Sequence, residues 1–399
     1  MNPEKASPHA RVLCLLLLSA LAACQQVPVR EPACAPCPKC PIAEPTRPPA
    51  AAKPLQAAQW ADLPGWQADQ VGAAWPAFLL SCRALATRAT AWKRVCAEAQ
   101  ALAAQDNTAV RAFFETNFTP YAATQPDGKT EGLITGYYEP LLKGSRTPGK
   151  HGKFPVYGVP DDLLTIDLGE VLPELKHMRL RGRLSGNKVI PYHARRDIEE
   201  NTAPRLGTPL LWVEDQIELF FLQIQGSGRV KLPDGSLVRL GYADQNGHPY
   251  QSIGRVLIER GELALSEASM QGIQAWARAN PGKVQEVLNL NPSYVFFREL
   301  PSSDDGPLGA LGVPLTAERS LAIDPRHIPL GAPVFLATTQ PNSSRALNRL
   351  MLAQDTGGAI KGVVRADLFW GFGAKAGEQA GRMKQPGQMW VLLPKEMTP

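Results

Sequence analysis

Leu350-Met351-Leu352-Ala353-Gln354-Asp355-Thr356-Gly357-Gly358-Ala359-Ile360-Lys361-Gly362-Val363-Val364-Arg365-Ala366-Asp367 begins apolar, turns through glycines and ends on a carboxylate. The run from Leu350 to Ala353 predicts a buried strand. Gly357 and Gly358 supply backbone angles closed to other residues, so the chain can reverse sharply after it. Asp355 stands at the strand's end. Asp367 comes twelve residues later, just ahead of an aromatic patch at Phe369, Trp370 and Phe372. A carboxyl group beside aromatic walls loses hydration, which raises its pKa and suits it to donate a proton near neutral pH. Aromatic faces also stack on sugar rings, so acid and platform together point to carbohydrate chemistry. An isolated Asp-x-Gly-Gly more often caps a turn. The choice therefore depends on the rest of the chain.

The amino terminus sets the compartment. Residues 11–24, from Arg11 through a leucine-rich core to Ala22-Ala23-Cys24, are a basic start and a short apolar stretch. That stretch is too short to span a bilayer comfortably and ends in small residues, as a signal peptide does. Leu21-Ala22-Ala23-Cys24 resembles a bacterial lipobox, in which Cys24 would be acylated; an ordinary secretory signal is the plainer alternative. Gln25 stands where an aspartate would retain a lipoprotein at the inner membrane. The resemblance thus implies an outer-membrane lipoprotein facing the periplasm of a Gram-negative bacterium. Residues 25–57 are crowded with proline and alanine and read as an extended tether. Within the tether, Cys34, Cys37 and Cys40 have no downstream Cys or His cluster to complete a metal site. Cys82 and Cys96 lie on successive helical segments, either bridged or buried as thiols.

The chain has 399 residues, and the portion beyond the tether exceeds what one core usually supports, so two domains are expected. A net charge of +5 suits an anionic polymer, and no basic run points to nucleic acid. From Trp60 to about Asn117 the pattern is helical, with Pro76 in a first turn and Phe78, Leu79, Cys82 and Leu85 at helical spacing. From Gly132 onward short strands and turns take over. Phe220-Phe221-Leu222-Gln223-Ile224-Gln225 alternates like a strand, and Pro233-Asp234-Gly235 makes a hairpin between Val230-Leu232 and Leu237-Leu240. Ser252 and Ser269 cap two helices. Strands resume at Tyr294–Arg298, Ser320–Asp324, Pro333–Ala337 and Leu350–Gln354. Strands on both sides of a central block suggest one barrel interrupted by an insertion.

Several segments together resemble the membrane-bound lytic transglycosylase A (MltA) family. They are Leu133-Ile134-Thr135-Gly136-Tyr137-Tyr138-Glu139-Pro140, Gln223-Ile224-Gln225-Gly226-Ser227-Gly228, Tyr242 to Tyr250, Ser320 to Gly331, and the glycine-rich stretch from Leu350 to Asp367. The likeness runs from Gly132 to Leu393. It implies a mainly β fold with helices (α+β): a double-psi β-barrel interrupted by a second β-rich domain, with a groove between them. Residues 58–142 and 299–399 would form the helical cover and barrel, and 143–298 the inserted substrate-binding domain.

The resemblance also assigns roles. The single catalytic acid is the aspartate six residues after the lysine of Gly-Ala-Ile-Lys, here Asp367. Asp324 and Asp355 would be supporting carboxylates whose negative field keeps the proton on Asp367, although Arg319 or Arg326 can instead pair with Asp324. The strand bearing Tyr137 and Tyr138 can turn one ring to the core and the other to a sugar. Gln223, Gln225 and Ser227 carry the donors and acceptors that sugar hydroxyls require. Tyr242, Lys361 and Trp370 complete the expected substrate contacts. Asp244 is explained by turn chemistry at Asn246-Gly247. Arg365 and Ala366 stand where the family often has an aromatic residue or histidine before the acid.

The activity implied is non-hydrolytic cleavage of peptidoglycan, with one carboxyl acting as acid and then base, rather than the pair used by hydrolysing glycosidases. A hydrolysing glucanase and a non-catalytic, expansin-like glycan-binding lipoprotein are the alternatives. No metal or cofactor is expected. The expected partners are peptidoglycan glycan strands, the outer membrane through the lipid anchor, and complexes of cell-wall synthesis or hydrolysis, with the protein itself a monomer.

Overall fold

The computed structural model describes residues 52–398 apart from 88–89, 104–105, 176–177, 179, 201, 204–205 and 304. The lipobox at Cys24, most of the tether and Cys34, Cys37 and Cys40 lie outside the described residues. Among the described residues no helix is long and apolar enough to cross a membrane.

After β1 (Leu55–Ala57) the chain builds a helical cover. Helix α1 (Trp75–Leu85) begins with Pro76, whose missing N–H costs nothing in a first turn. Helix α2 (Thr90–Ala101) comes next, joined to α1 by a Cys82–Cys96 disulfide whose Cα atoms lie 5.3 Å apart. The bridge settles the alternative between paired and free thiols. Asp106 caps α3 (Asn107–Asn117) by accepting the Thr108 and Ala109 N–H groups. Trp75, Phe78, Phe113 and Phe114 fill the space between these helices, with ring centroids 4.9 to 6.1 Å apart.

Next come β2 (Phe118–Ala123) and β3 (Gly132–Glu139), then β4 (Leu141–Ser145), β5 (Phe154–Val156), β6 (Leu164–Ile166), β7 (Leu180–Ser185) and β8 (Lys188–Ile190). Helix α4 (Arg195–Glu199), β9 (Leu211–Val213), α5 (Gln216–Gln225), β10 (Ser227–Lys231) and β11 (Leu237–Gln245) continue the central block. Helices α6 (Ile253–Glu259), α7 (Met270–Ala279) and α8 (Val284–Leu288) lead to β12 (Val295–Leu300). The chain ends in β13 (Ser320–Ile323), β14 (Pro333–Thr339), β15 (Ala346–Thr356), β16 (Arg365–Phe372), α9 (Gly373–Arg382) and β17 (Lys384–Pro394).

Strands β17, β14, β15, β13, β16 and β3 are hydrogen-bonded in that order, and β17 returns to pair with β3 and close the ring. The expected interrupted barrel is therefore present. The chain leaves it at Pro140, forms a six-stranded sheet ordered β12-β11-β10-β4-β9-β5 and a small β6-β7-β8 sheet, and returns after Leu300. The Ser252 and Ser269 caps and the β10–β11 hairpin stand as expected.

One expected strand is a helix. Residues 220–225 lie in α5, whose first N–H groups bond to the Asp215 carboxylate and whose end is marked by Gly226 at φ 78°. Leu219, Phe220, Phe221, Leu222 and Gln223 are all buried, which period-two alternation does not allow. The caps at either end override a short apolar pattern compatible with both structures.

Gln354 ties the cover to the barrel. Its buried side chain accepts the Ser320 hydroxyl at 2.6 Å and donates to the Ala77 carbonyl at 2.8 Å and the Ser81 hydroxyl at 3.0 Å. Removing it takes the acceptor from the buried Ser320 hydroxyl and a donor from the Ala77 carbonyl and the Ser81 hydroxyl. Gln354→Ala is expected to cost about 2–4 kcal/mol, measured as a lower urea midpoint with an unchanged m-value. An unmoved midpoint would show that the helices dock without this clamp.

Candidate active site

Asp367 lies on β16 between two neighbours. Antiparallel pairing sets Ala322 of β13 opposite it, and parallel pairing sets Thr135 of β3 opposite it on the other side. Residues at alternate positions of a strand share a face. Asp367 and Phe369 therefore look out on the same side as Thr135 and Tyr137, while Ala366, Leu368 and Trp370 point into the main core with Ile134 and Tyr138. A small apolar cluster of Tyr137, Leu315, Ala322, Ile360 and Phe369 floors the site.

The half-buried Asp367 carboxyl accepts the Thr135 hydroxyl at 2.7 Å through Oδ1. Burial is the largest influence on it and pushes its pKa up to about 6. The Thr135 hydrogen bond and the Arg365 guanidinium pull it back, and the Asp355 charge adds a smaller push upward. Of the expected aromatic patch, Phe369 lies on the face of the acid, paired with Tyr137 at 5.2 Å between centroids, whereas Trp370 is in the main core and Phe372 lies under the Arg229 guanidinium.

Asp355 accepts the Tyr137 hydroxyl at 2.9 Å and the Ala310 N–H at 2.9 Å. Burial, followed by the Asp355 charge, holds the Tyr137 phenol well above its usual range, so it stays protonated and donating. The structure thus gathers Asp367, Asp355 and Tyr137.

Asp324 has a different environment. Its carboxylate is fully buried and is held by Arg326, with Nε 2.9 Å from Oδ1, and by the Gly362 N–H at 2.8 Å. Burial alone would raise this carboxyl, but the hydrogen bonds from Arg326 and the Gly362 and Arg326 backbones outweigh it and hold the group well below the usual carboxylate range. The ion-pair alternative describes this residue. Its charge is spent on fixing the loop between Asp355 and Asp367, and it is not among the groups that perturb Asp367.

Three expected substrate contacts are turned inward. Trp370 is buried, with Nε1 3.3 Å from the Met383 sulfur, so it packs the core instead of forming a platform. The Tyr138 ring is buried beside Gly377, with its hydroxyl 3.3 Å from the Met270 sulfur. Gln223 is buried against the Arg195 guanidinium, which also stacks on Phe220 and Tyr294. Gln225 accepts the Tyr138 N–H at 3.0 Å and so positions β3. Ser227 and Tyr242 are half-exposed on β10 and β11, and Lys361 is exposed on the loop beside Gly362. Asp244 pairs with Arg181 at 2.9 Å.

Sequence reasoning missed Thr135, although strand alternation places it on the face of Tyr137. It marks Arg365 only as a departure from the family pattern. In the structure Arg365 Nη2 donates to the Thr135 hydroxyl oxygen at 2.9 Å.

The raised carboxyl has a consequence for stability. Its folded pKa, about 6, lies above its ordinary value of 3.8. Its contribution is therefore full below about pH 4 and is lost as pH rises through about 6. Asp367→Asn, a permanent mimic of the neutral acid, should be more stable than the parent by on the order of 2–3 kcal/mol at pH 7.5, with the gap closing at pH 4. Thermal unfolding at the two pH values tests this, and a gap independent of pH would refute the burial of the charge.

Comparisons with known proteins match this geometry. The model of the MltA specific insert domain matches residues 133–298, and that of the 3D domain matches residues 319–393. The membrane-bound lytic murein transglycosylase A of Vibrio cholerae is 33% identical over 280 residues, 68% of each chain. Its Escherichia coli counterpart is 34% identical over 266 residues, 65% of each chain. A crystal structure of MltA from Neisseria gonorrhoeae superposes with a TM-score of 0.75 at 42% identity, covering 88% of this chain and 97% of that one. Escherichia coli MltA with bound chitohexaose superposes with a TM-score of 0.66 at 27% identity, covering 86% and 96%. The closed barrel, the strands inserted between β3 and β13, and these likenesses place the chain in the membrane-bound lytic murein transglycosylase A family.

Proposed function

We propose that the chain is a lytic transglycosylase that cleaves the β-1,4 bond between N-acetylmuramic acid and N-acetylglucosamine in peptidoglycan, with Asp367 as its one catalytic group. The observation that carries this reading is the half-buried Asp367 carboxyl, raised to about 6 and lying on a Thr135 hydroxyl at the barrel surface. A group of that strength is protonated often enough to act as an acid and ionises readily enough to act next as a base.

In the first step Asp367 gives its proton to the glycosidic oxygen as the bond from that oxygen to the muramic C1 breaks. Positive charge develops at C1. The same sugar's C6 hydroxyl oxygen then bonds to C1, and its proton passes to the Asp367 carboxylate. The products are a 1,6-anhydro sugar and a free N-acetylglucosamine hydroxyl, with the acid restored and no water consumed. Asp355, which accepts the Tyr137 hydroxyl and the Ala310 N–H, supplies negative potential near the cationic centre. The chitohexaose bound by the Escherichia coli relative supports an N-acetylglucosamine-containing glycan as the substrate class. Half-exposed Ser227 and Tyr242 and exposed Lys361 remain the proposed contacts among the residues read from the sequence.

Asp367→Asn should lower release of anhydro-muropeptides from sacculi by at least a thousandfold while glycan binding persists. For the parent enzyme, kcat/KM should fall about tenfold per unit as pH rises above about 6–7, because only the protonated acid initiates cleavage. Digests in heavy-oxygen water separate the rivals: label in the product identifies a hydrolase, and binding without soluble fragments identifies a non-catalytic lipoprotein.

We further propose that Cys24 is acylated and holds the enzyme at the outer membrane, facing the periplasm. The Leu21-Ala22-Ala23-Cys24 segment and the name of the Vibrio relative support this. Cys24→Ser should move the protein from the membrane pellet to the periplasmic fraction. Retention in the membrane would reject the lipid anchor.

A further inference from the structure

Arg365 precedes the proposed acid by two residues on β16, and its side chain lies beside the same face. Its Nη2 donates to Thr135 Oγ1 at 2.9 Å, and its Nη1 reaches the Ala366 carbonyl. A threonine hydroxyl has one hydrogen and two acceptor sites. With the guanidinium occupying an acceptor site, the hydroxyl's own hydrogen is left for Asp367 Oδ1, 2.7 Å away. Oδ1 is thus engaged as the acceptor of the Thr135 hydroxyl. Among the described residues no hydrogen bond is made by Asp367 Oδ2, which leaves that oxygen open to carry a transferable proton.

We propose that Arg365 is a positioning residue for the reaction: through Thr135 it confines the transferable proton of Asp367 to Oδ2, and its charge steadies the carboxylate left after transfer. The proposal rests on Asp367 as the catalytic group and adds to it a fixed proton address and a counter-charge. The mechanism itself creates the need. A group that gives a proton and then accepts one within the same turnover performs poorly if either form is strongly favoured. Burial and Asp355 both favour the neutral acid, while Thr135 and Arg365 are the opposing influences.

The surroundings leave few other candidates for that role. Strand β3 contributes Thr135 and Tyr137, β15 contributes Asp355, and β13 sets the uncharged Ala322 opposite the acid. Asp324, at the end of β13, is bound to Arg326. On β17, Lys384 lies opposite Thr135 in register and is exposed. Arg365 is therefore the cation hydrogen-bonded into the relay.

The test is the pH dependence of anhydro-muropeptide release by Arg365→Gln, Arg365→Lys and Thr135→Val beside the parent enzyme and Asp367→Asn. Loss of the relay should move the alkaline limb of kcat/KM upward by about one pH unit in Arg365→Gln and Thr135→Val, with kcat reduced at least tenfold. Arg365→Lys, which keeps the charge, should return the limb to within a few tenths of a unit of the parent. An unmoved limb in Arg365→Gln, whatever Thr135→Val does, would overturn the proposal and leave Arg365 a purely structural strand residue. If Arg365→Gln does not fold, Arg365→Met decides between the same two outcomes, while Thr135→Val reports on the Thr135 hydrogen bond itself. Full activity in Asp367→Asn would instead defeat the underlying assignment of the acid.

Discussion

The site depends on one constraint: a carboxyl group is held half out of water at a seam between two parallel strands. Register places Thr135 directly beside Asp367, and the floor of Tyr137, Phe369, Ile360, Leu315 and Ala322 denies the carboxylate much of its hydration. Desolvation then dominates every other influence on the group. Such a site opposes stability at neutral pH, so the fold must supply the difference elsewhere. It does so through a closed six-stranded ring and a core that runs unbroken from the barrel into the helical cover. Closure matters because an open sheet would let β16 and β3 part and water reach the acid.

The three aspartates of the family-like segments have separate tasks. Asp367 accepts the Thr135 hydroxyl at the site, Asp355 accepts the Tyr137 hydroxyl beside it, and Asp324 fastens a loop through Arg326 and Gly362. The difference lies in the partners each finds. A bidentate guanidinium and a backbone N–H consume the charge of Asp324 and hold Gly362, which has φ 113°. Gly362 thereby anchors the connection between the two remaining carboxylates. Asp355 accepts the Tyr137 hydroxyl and the Ala310 N–H, and so ties β15 to β3 at the site.

Much of this was legible in the sequence where the determinants are local. The caps at Ser252 and Ser269, the Asp-Gly turn at 234–235, and the strands flanking the glycine-rich segment depend on neighbours only a few residues away. Six residues at 220–225 were too few to distinguish periods of two and 3.6, and the Asp215 and Gly226 caps decided the outcome. Alternation along β16 and β3 fixed which residues share a face but not which face meets solvent. That choice comes from α9, whose Gly377 leaves room for the Tyr138 ring and whose flank reaches Met383 beneath Trp370. The aromatic residues expected to meet sugar therefore became core, while their neighbours Thr135, Tyr137 and Phe369 formed the site. Arg365, a departure from the family pattern just before Asp367, acquires a partner only when β3 is laid beside β16.

The same strand that carries Thr135 and Tyr137 also begins the insertion, and this joins the site mechanically to the second sheet. Glu139 ends β3 in full burial, with Arg229 of β10 bonded to it at 3.0 Å. Arg229 and Arg239 then grip the returning chain at the Asp305 carbonyl, 3.1 and 3.0 Å away. Outgoing and returning crossings are thus fastened to one pair of adjacent strands. Buried pairs of this kind add little net stability over an apolar substitute, but losing one partner is costly because the other is left charged and dry. Their effect here is geometric. The outgoing fastening at Glu139 lies four residues from Thr135 on the same strand. The second sheet also reaches β16, where the Arg229 guanidinium stacks on Phe372 at 4.4 Å, so both strands beside Asp367 are braced by the insertion.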